Sequence, residues 1–450
     1  MNEKKQNWVM DMTEGNITKI LLQFTVPLLI GNLFQQVYNI VDSVVVGRYL
    51  GAKALGGVGS VGMISFLFFS LCLGLSNGIG VNIANAYGNK EYEKLKQMIA
   101  NAFYIMVAAG ILMSILGFCF AKPILLIMNT PFENFHYAYT YMKITCGLTI
   151  TVALYNGISS ILRALGDSKT PLIFLAVSSV LNVVLDIIFV IHCNYGVAGA
   201  AYATVISQLL SAIGSIVFAV RKNPYFSLKK EHFILSKELI AENLKIGIPM
   251  SIQTALISIS CALLQTLING FGTSVMAAYT ATGKIENVIF QPFNSLGAAV
   301  STFAGQNLGA GNYDRIKKAA WKSELMVLAF SAALFVIILF FNEEIIHLFV
   351  EDSEVIAIGA KGLLITGSAY FALGSIYIFR GILNGMKDVT FSMINGGLEV
   401  GGRVVFALIL MYMTSIGYLG IWYTNILTWI LIAGSAMIRF IYFIRRAHSA

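Results

Sequence analysis

Long apolar segments dominate this sequence and decide what it can fold into. A bilayer core about 30 Å thick requires roughly 20 apolar residues in each helix that crosses it. Breaks rich in glycine, proline, asparagine and charge divide the chain into twelve segments of at least that length. Because backbone polar groups in lipid must be satisfied internally, we predict an all-α polytopic membrane protein with twelve transmembrane helices. The predicted spans are 17–42, 55–85, 96–120, 136–162, 171–192, 197–220, 240–269, 276–306, 320–341, 355–385, 391–413 and 418–444.

Composition and charge support this class of protein. Of 450 residues, 57% are hydrophobic and 12% are charged, whereas soluble proteins carry about 25% charged residues. An even number of spans places both termini on one side of the membrane. The termini and loops of that side hold nineteen lysines and arginines, whereas the loops of the other side hold three, Arg48, Lys53 and Lys122. Basic residues accumulate in cytoplasmic loops, so we predict a multi-pass protein of the cell membrane with both termini cytoplasmic. The net charge of +8 then needs no nucleic-acid partner.

The chain repeats itself with an offset of 221 residues. The segment "YGNKEYEKLK" from Tyr87 aligns with "LGAGNYDRIK" from Leu308, and "GVAGAAYAT" from Gly196 aligns with "GYLGIWYTN" from Gly417. A period of this length indicates an internal duplication rather than a short structural repeat.

The repeat predicts the domain organisation. We expect an N-terminal six-helix lobe with a cation site at 1–220, a cytoplasmic linker at 221–239 and a C-terminal six-helix lobe at 240–450. Repeats of six spans keep the same orientation, so a pseudo-twofold axis along the membrane normal should relate the lobes, with a cavity between them. This architecture is typical of alternating-access transporters; the alternative is a duplicated scaffold without a transport pathway.

Two carboxylates fall within the predicted spans of the first lobe. Asp42 ends span one, and Asp186 follows Asn182 by four residues in span five, which puts both on one helical face. Thr204 lies at a similar depth in span six. Since a charge at the bilayer centre costs about 2.5–3.5 kcal/mol, we predict that these four residues bind a cation or a proton. For Asp42 alone, an interfacial position at a helix end is the competing interpretation.

The second lobe differs at the equivalent positions. The offset places Leu263 and Ala407 where the first lobe has its aspartates, and Arg403 where it has Asn182. Glu399 precedes Arg403 by four residues, a spacing that favours a structural ion pair, with a substrate or gating contact as the alternative. Lys284 and Glu286 remain without an assigned role.

Span one also carries a proline and several amides. Pro27 removes a helical hydrogen bond, which predicts either a static kink or a hinge coupled to Asp42. Amide and aromatic side chains in the spans suit a cavity that accepts varied amphipathic cations. The residues predicted to line this substrate cavity are Gln35, Tyr38, Asn39 and Gln253.

The cysteines do not form a recognisable site. The five cysteines are scattered singly in apolar segments, which predicts small buried hydrophobic residues and neither a zinc site nor a disulfide framework. No nucleophile–base constellation suggests an enzyme. We therefore predict no catalytic residues, no cofactor and no metal site other than a Na+ at the cation site.

Several motifs resemble those of the multidrug and toxin extrusion (MATE) family of efflux transporters. They are "LRALGDSKTP" from Leu162, "LNVVLD" from Leu181 and "FAGQNLGAGNYDRIKKA" from Phe303, and the resemblance covers nearly the whole chain. In that family a cation or proton gradient drives the export of organic cations while two lobes rock between outward-open and inward-open states. The resemblance implies that Asp42, Asn182, Asp186 and Thr204 match the family's site residue by residue.

The predicted function is therefore secondary active multidrug efflux, with Na+ or H+ as the coupling ion and small amphipathic or cationic molecules as substrates. We expect a monomer in the lipid bilayer. The alternative is a lipid-linked oligosaccharide flippase of the related superfamily. Such proteins often carry fourteen spans and several arginines in the cavity, whereas this chain has twelve predicted spans.

Overall fold

The computed structural model describes residues 8–128 and 130–449, and every regular element within them is helical. The prediction of an all-α membrane protein is thus confirmed. The α-helices are α1 (Ile17–Leu50), α2 (Ala52–Gly88), α3 (Tyr92–Ile127), α4 (Phe132–Gly147), α5 (Thr149–Ala164), α6 (Lys169–Asp186), α7 (Gly196–Lys222), α8 (Lys237–Ile268), α9 (Thr273–Gly309), α10 (Tyr313–His347), α11 (Ser353–Gly367), α12 (Tyr370–Gly385), α13 (Val389–Leu408) and α14 (Gly420–Ser449).

Each predicted span coincides with one of these helices or with a broken pair. In the described part of the chain, 9 helices are long and apolar enough to cross a membrane, and two bent pairs raise this number to 11. The remaining predicted span is α9, which has 37 residues and carries Lys284 and Glu286 in its N-terminal half. The helices extend beyond the predicted ends because polar residues at the bilayer surface continue the same backbone hydrogen bonding.

The two halves repeat the same order of irregularities. A bent pair, α4–α5 or α11–α12, is followed by a helix that ends in a π-helical turn, Ile187–His192 or Ile409–Met413. Helices α2 and α9 begin 221 residues apart, after Gly51 and Gly272, which have φ of +85° and +92°. Side chains rarely tolerate this backbone conformation, so the repeated glycines preserve a repeated turn.

The break between α4 and α5 illustrates how the fold satisfies freed backbone groups. Leu148 leaves the helical conformation, with φ −118° and ψ 29°, and the pair bends by 45°. The N–H group of Ile150 then donates to the Ser114 hydroxyl of α3 at 3.0 Å. Interrupted helices are tolerated at membrane depth when side chains replace the lost hydrogen bonds in this way.

The chain divides into two compact units. Unit 1 contains Val26–Ile252 with the residues up to Met12, and unit 2 contains the chain from Gln253 onward with Thr13–Thr25. Helices α1 and α8 therefore each contribute to both units. Each carries a proline, Pro27 or Pro249, within about one helical turn of the residue where the helix passes from one unit to the other. The lobes predicted at 1–220 and 240–450 stay a prediction.

The segment between α7 and α8 is attached to α3 in unit 1. The Lys229 N–H group donates to Nδ1 of the buried His232 at 2.8 Å, so Nε2 of this ring is the donor to Glu93 at 3.0 Å. The hydrogen bond from Lys96, and to a smaller extent the one from His232, lowers the pKa of Glu93 to about 2. Glu93 is therefore an ionised acceptor at neutral pH. Asn101 also binds the segment, through the carbonyl of Ile234.

Glycines allow a close approach of α2 and α8 within unit 1. A Cβ atom at Gly74 would lie 2.2 Å from the backbone nitrogen and Cα of Ser251, and one at Gly78 would lie 2.5 Å from Gly247. The Ser251 hydroxyl donates to the Leu71 carbonyl across this contact at 2.8 Å. Small residues at helix crossings in membranes permit this backbone proximity, which supplies dispersion energy and interhelical hydrogen bonds.

We expect Gly74→Ala to lower the melting temperature of the purified protein, because the added methyl group overlaps the α8 backbone and overpacking costs about 1–3 kcal/mol. Gly59→Ala, on the same helix, is the matched control, since a Cβ there meets no atom within 4 Å. The control should be neutral or slightly stabilising through helix propensity. Thermal unfolding in detergent measures both variants; a Gly74→Ala protein as stable as the control contradicts the close contact.

Candidate cation-binding site

Four polar side chains predicted from the sequence lie together in unit 1. Asp42 is 8% exposed, and α1 continues for about two further turns to Leu50. Asn182 and Asp186 lie on the last turns of α6, with 2% and 0% exposure. Burial within a continuous helix argues against the interpretation of Asp42 as an interfacial residue at a helix end.

The hairpin of α6 and α7 positions the remaining polar group. A Cβ at Gly199 would lie 3.0 Å from the backbone of Phe189, so α7 packs closely on the π-helical turn that follows α6. This packing brings Thr204 within reach of α6. The Asn182 amide donates to the Thr204 hydroxyl at 3.3 Å, and that hydroxyl donates to the Ala200 carbonyl at 3.1 Å.

The acceptor oxygens of this cluster are left largely unsatisfied. Among the described residues, both carboxylate oxygens of Asp186, Oδ1 of Asp42 and Oδ1 of Asn182 are buried without a hydrogen-bond partner. Asp42 and Asp186 interact electrostatically with each other. Within the same part of the chain neither carboxylate forms an ion pair with a basic side chain.

These features define what the site can bind. A buried polar group without a partner costs about 1–3 kcal/mol, and more when it is charged. Oxygen donors alone suit hard cations. A proton shared between two carboxyl groups also removes their repulsion. The cluster, which we call the N-site (Asp42, Asn182, Asp186 and Thr204), is therefore chemically suited to Na+ or H+.

Four further polar side chains extend from the N-site. Tyr141 of α4 interacts with Asp42, Asp186 and Thr204. Tyr38 of α1 interacts with Asp42 and with the side chains of Gln35 and Gln208. Tyr141 and Gln208 are not predicted from the sequence. Gln208 follows Thr204 by four residues and so shares its helical face, and this spacing could have identified it from the sequence. No sequence pattern distinguishes Tyr141 from its neighbouring tyrosines.

The predicted substrate-cavity residues fall into both units. Gln35 and Asn39 are exposed on α1, on either side of the half-buried Tyr38. Gln253 instead belongs to unit 2, where it is 4% exposed and packs against Gly396 of α13. The structure therefore brings Gln35 and Tyr38 to the N-site, while Gln253 lies in a separate cluster of polar residues.

Unit 2 does not repeat the N-site at the equivalent positions. Leu263 is exposed, Ala407 is buried, and Arg403 occupies the position of Asn182. The Glu399 carboxylate accepts from Arg403 at 3.2 Å, as the spacing predicted, but its other oxygen accepts from Arg380 of α12 at 2.9 Å. The structure therefore contains the predicted Glu399–Arg403 ion pair and adds Arg380 as a second partner of the same carboxylate.

Two other buried carboxyl groups lie in unit 2. Glu286 of α9 receives a hydrogen bond from Tyr370 at 3.5 Å, whereas the neighbouring Lys284 is exposed. Glu324 of α10 receives a hydrogen bond from Ser375 of α12 at 2.8 Å. The sequence pattern does not single out Glu324, since one acidic residue in a predicted span does not reveal its partner on another helix.

Known proteins resemble this chain in sequence and in fold. A family model described as MatE matches residues 27–188 and 249–409. Probable multidrug resistance protein YoeA of Bacillus subtilis (strain 168) is 30% identical over 91% of this chain and 90% of its own length. Probable multidrug resistance protein NorM of Thermotoga maritima is 24% identical over 90% of this chain and 88% of its own.

Solved structures agree in fold over the whole chain. A multidrug resistance MATE family transporter in an outward-facing conformation superposes with a TM-score of 0.92 at 21% identity, covering 100% of both chains. A MOP superfamily transporter from Pyrococcus furiosus gives the same score and identity, covering 100% of this chain and 99% of its own. At this identity the likeness establishes the fold, which is the one predicted from the sequence.

We expect the N-site to bind its cation with a measurable effect on stability. A ligand at 100 times its Kd stabilises a protein by about 2.7 kcal/mol. The melting temperature in detergent should therefore rise with Na+ at fixed pH, or with protons at fixed Na+, and Asp186→Asn should abolish that rise. Glu133→Gln, which removes an exposed carboxylate paired with Lys53, should retain it. A full rise in the Asp186→Asn protein contradicts the assignment.

Proposed function

Because the chain belongs to the MatE family, we propose that it is a secondary active multidrug efflux antiporter. It exports organic cations and other amphipathic compounds in exchange for Na+ or H+ by alternating access. The function is transport, with no chemical conversion of the substrate. The names of relatives described as multidrug resistance proteins support the substrate class.

The unpaired acidic N-site is the observation that carries this proposal. Asp42 and Asp186 lie buried on membrane-spanning helices without basic partners among the described residues. Two such groups cost several kcal/mol unless a cation or proton compensates them. A protein that contains this destabilising pair can use ion binding to change its conformational equilibrium.

Coupling follows from unequal affinity. An ion shifts the balance between two conformations only if it binds one of them more tightly. We propose that an ion from outside neutralises the N-site and favours the conformation that releases substrate outward. Tyr38 links this event to the substrate, because it interacts with Asp42 and lies beside the predicted cavity residues Gln35 and Asn39.

Pro27 is the proposed hinge of this transition. It lies inside α1, fifteen residues before Asp42 and therefore about 22 Å from it along the helix axis. Proline removes one internal hydrogen bond and weakens the helix locally. The helix passes from unit 2 to unit 1 immediately before this proline, which places the weak point where bending has the largest effect.

We propose that the protein resides in the cell membrane as a monomer with both termini in the cytoplasm. The basic loops of the predicted cytoplasmic side support this orientation. The domain assignment made from the sequence, two six-helix lobes joined by the linker 221–239, belongs to the same proposal.

Transport by purified protein in liposomes tests the function. We expect wild type to export a fluorescent organic cation such as ethidium under one imposed gradient, either Na+ or H+. Asp186→Asn should lose gradient-driven export, because the amide cannot bind the ion as a carboxylate does. Glu133→Gln serves again as the control and should export normally.

The remaining outcomes decide between alternatives. Export by Asp186→Asn at the wild-type rate means that the N-site is not the coupling site. If wild type exports nothing under either gradient, the flippase alternative is favoured. Movement of a fluorescent lipid-linked phosphate across the bilayer of the same liposomes would support that alternative.

A further inference from the structure

We propose that α3 and α4 bind the phosphate group of an anionic glycerophospholipid between two lysines at their lipid-facing edge. We call this site the lysine pair (Lys122 and Lys143). It is separate from the N-site and does not depend on which substrate the protein transports. The two lysines share a level in the membrane and an exposed face, and they have no acidic partners in the described part of the chain.

The two lysines lie at the same level of an antiparallel helix pair. Helices α3 and α4 are consecutive, so both reach the loop that joins them. A Cβ at Gly117 would lie 2.5 Å from the Cys146 carbonyl oxygen, which fixes the register of the two helices. Lys122 lies five residues from Gly117, and Lys143 lies three residues from Cys146, both toward that loop. At about 1.5 Å per residue, the two levels differ by about 3 Å.

This level is close to the boundary between the hydrocarbon core and the headgroups. Lys122 lies two residues beyond the predicted span 96–120, and Lys143 lies seven residues inside the predicted span 136–162. The long stem of a lysine allows its ammonium group to reach the boundary from inside the hydrocarbon. Lipid phosphates belong to the headgroup region that begins there. The ammonium groups are therefore at the depth where a lipid carries its charge.

Both lysines border one exposed aromatic ring. The Lys143 ammonium group lies 4.5 Å from the centroid of the Phe118 ring, and Phe118 is 54% exposed. Lys122 is also exposed and follows Phe118 by four residues, which places it on the same face of α3. Tyr141, two residues before Lys143, interacts with the N-site instead. Two residues turn a helix by about 200°, so Lys143 lies on the opposite side of α4 from the N-site.

The face of α3 that carries Phe118 is apolar along the membrane. Ile111 and Ile115 precede Phe118 on this face by seven and three residues, and they are 46% and 55% exposed. Helix α3 packs on α2, α4 and α5, and its buried residues, among them Gly110 and Gly117, lie on another face. Exposed apolar side chains on a membrane-spanning helix contact acyl chains, which are equally apolar. A lipid that lies along Ile111 and Ile115 presents its phosphate to the lysine pair.

The charges of the lysine pair are uncompensated. Among the described residues, neither lysine forms an ion pair, and Glu133 in the first turn of α4 is paired with Lys53 at 2.7 Å. Two lysines at one level repel each other, and charged side chains within the hydrocarbon are costly. An anion with apolar chains compensates both charges without leaving the membrane. Basic pockets between membrane helices bind anionic lipid headgroups for this reason.

The equivalent helices of unit 2 have the same register without the lysine pair. A Cβ at Gly367 of α11 would lie 3.3 Å from Ile338 of α10, and the offset of 221 relates this contact to the one that fixes the register in unit 1. The same offset places Glu343 and Leu364 where unit 1 has its lysines. The helix packing therefore does not require the lysines, which points to a role specific to unit 1.

Quenching of a fluorophore beside the lysine pair by labelled lipids tests the site. Cys119 precedes Lys122 by three residues and is exposed, contrary to the sequence prediction. In a protein with Cys193→Ser and Cys261→Ser, it is the exposed thiol that remains for a bimane label. In phosphatidylcholine liposomes, we expect phosphatidylglycerol with a nitroxide on its acyl chain to quench bimane roughly twofold more than nitroxide-labelled phosphatidylcholine, because lysines attract anionic lipids.

Replacement of both lysines should remove this preference. In Lys122→Gln with Lys143→Gln, the two labelled lipids should quench equally, because the amides carry no charge. Lys361→Gln is the matched control and should keep the preference. Lys361 is an exposed lysine of α11, the helix equivalent to α4, and it has no ion pair within the described residues.

Two results of this experiment overturn the proposal. Equal quenching by the two lipids in the protein that keeps both lysines means that the lysines only extend to the headgroups. A preference that survives the replacement of both lysines means that the anionic lipid is attracted elsewhere. The first comparison needs no substitution at the lysine pair, so it decides the question even if the double variant is unstable.

A second experiment measures affinity and separates a lipid from free phosphate. By native mass spectrometry of detergent-purified protein, we expect phosphatidylglycerol to bind the double variant at least tenfold more weakly than wild type, or by about 1.4 kcal/mol. Binding of phosphatidylcholine should be unchanged. An unchanged affinity for phosphatidylglycerol, or its displacement by inorganic phosphate at equal concentration, overturns the lipid assignment. Neither experiment uses an ion gradient or a transported substrate, so failure of export and failure of this site are distinguishable.

Discussion

The uncompensated pair of carboxyl groups, Asp42 and Asp186, is the constraint on which the rest of the structure depends. Both are buried on membrane-spanning helices, and the described part of the chain offers them no basic partner. Such a pair is destabilising unless a cation or proton compensates it, because like charges in a low dielectric repel strongly. The close packing of α7 on the π-helical turn after α6 and the hydrogen bond between Asn182 and Thr204 hold further oxygen donors beside this pair.

Duplication supplied one scaffold for two different chemistries. The glycines before α2 and α9, the bent helix pairs and the π-helical turns recur in both halves, so the backbone requirements are shared. The polar side chains are not: Arg403 replaces Asn182, and Ala407 replaces Asp186. Unit 1 therefore has buried acceptors suited to a positive ligand, while unit 2 divides Glu399 between two arginines and leaves Nε of Arg403 without a hydrogen-bond partner among the described residues.

Much of this could be predicted from the sequence, because membrane insertion is governed by local composition. Each predicted apolar segment coincides with a helix or a bent helix pair of the described chain, and i, i+4 spacing alone places Asn182 and Asp186 on one helical face. Contacts between residues on different helices leave no comparable pattern in the sequence. The arginine of α12 that shares Glu399 is nineteen residues away from it, and Tyr141 reaches the N-site from a different helix, α4. The prediction that all five cysteines are buried is wrong for Cys119, Cys193 and Cys261, because exposure depends on which helix face meets a neighbour.

The unpaired carboxylates of the N-site have a thermodynamic consequence for the proposed transport. A ligand that neutralises the N-site and a transported substrate influence each other only if both distinguish the same two conformations, and the coupling is then reciprocal. Helices α1 and α8 each contribute to both units and carry their prolines at the change. They are the elements through which a change of charge at the N-site can act beyond unit 1, since α1 contains Asp42 and both helices have a hydrogen-bond ladder weakened by proline.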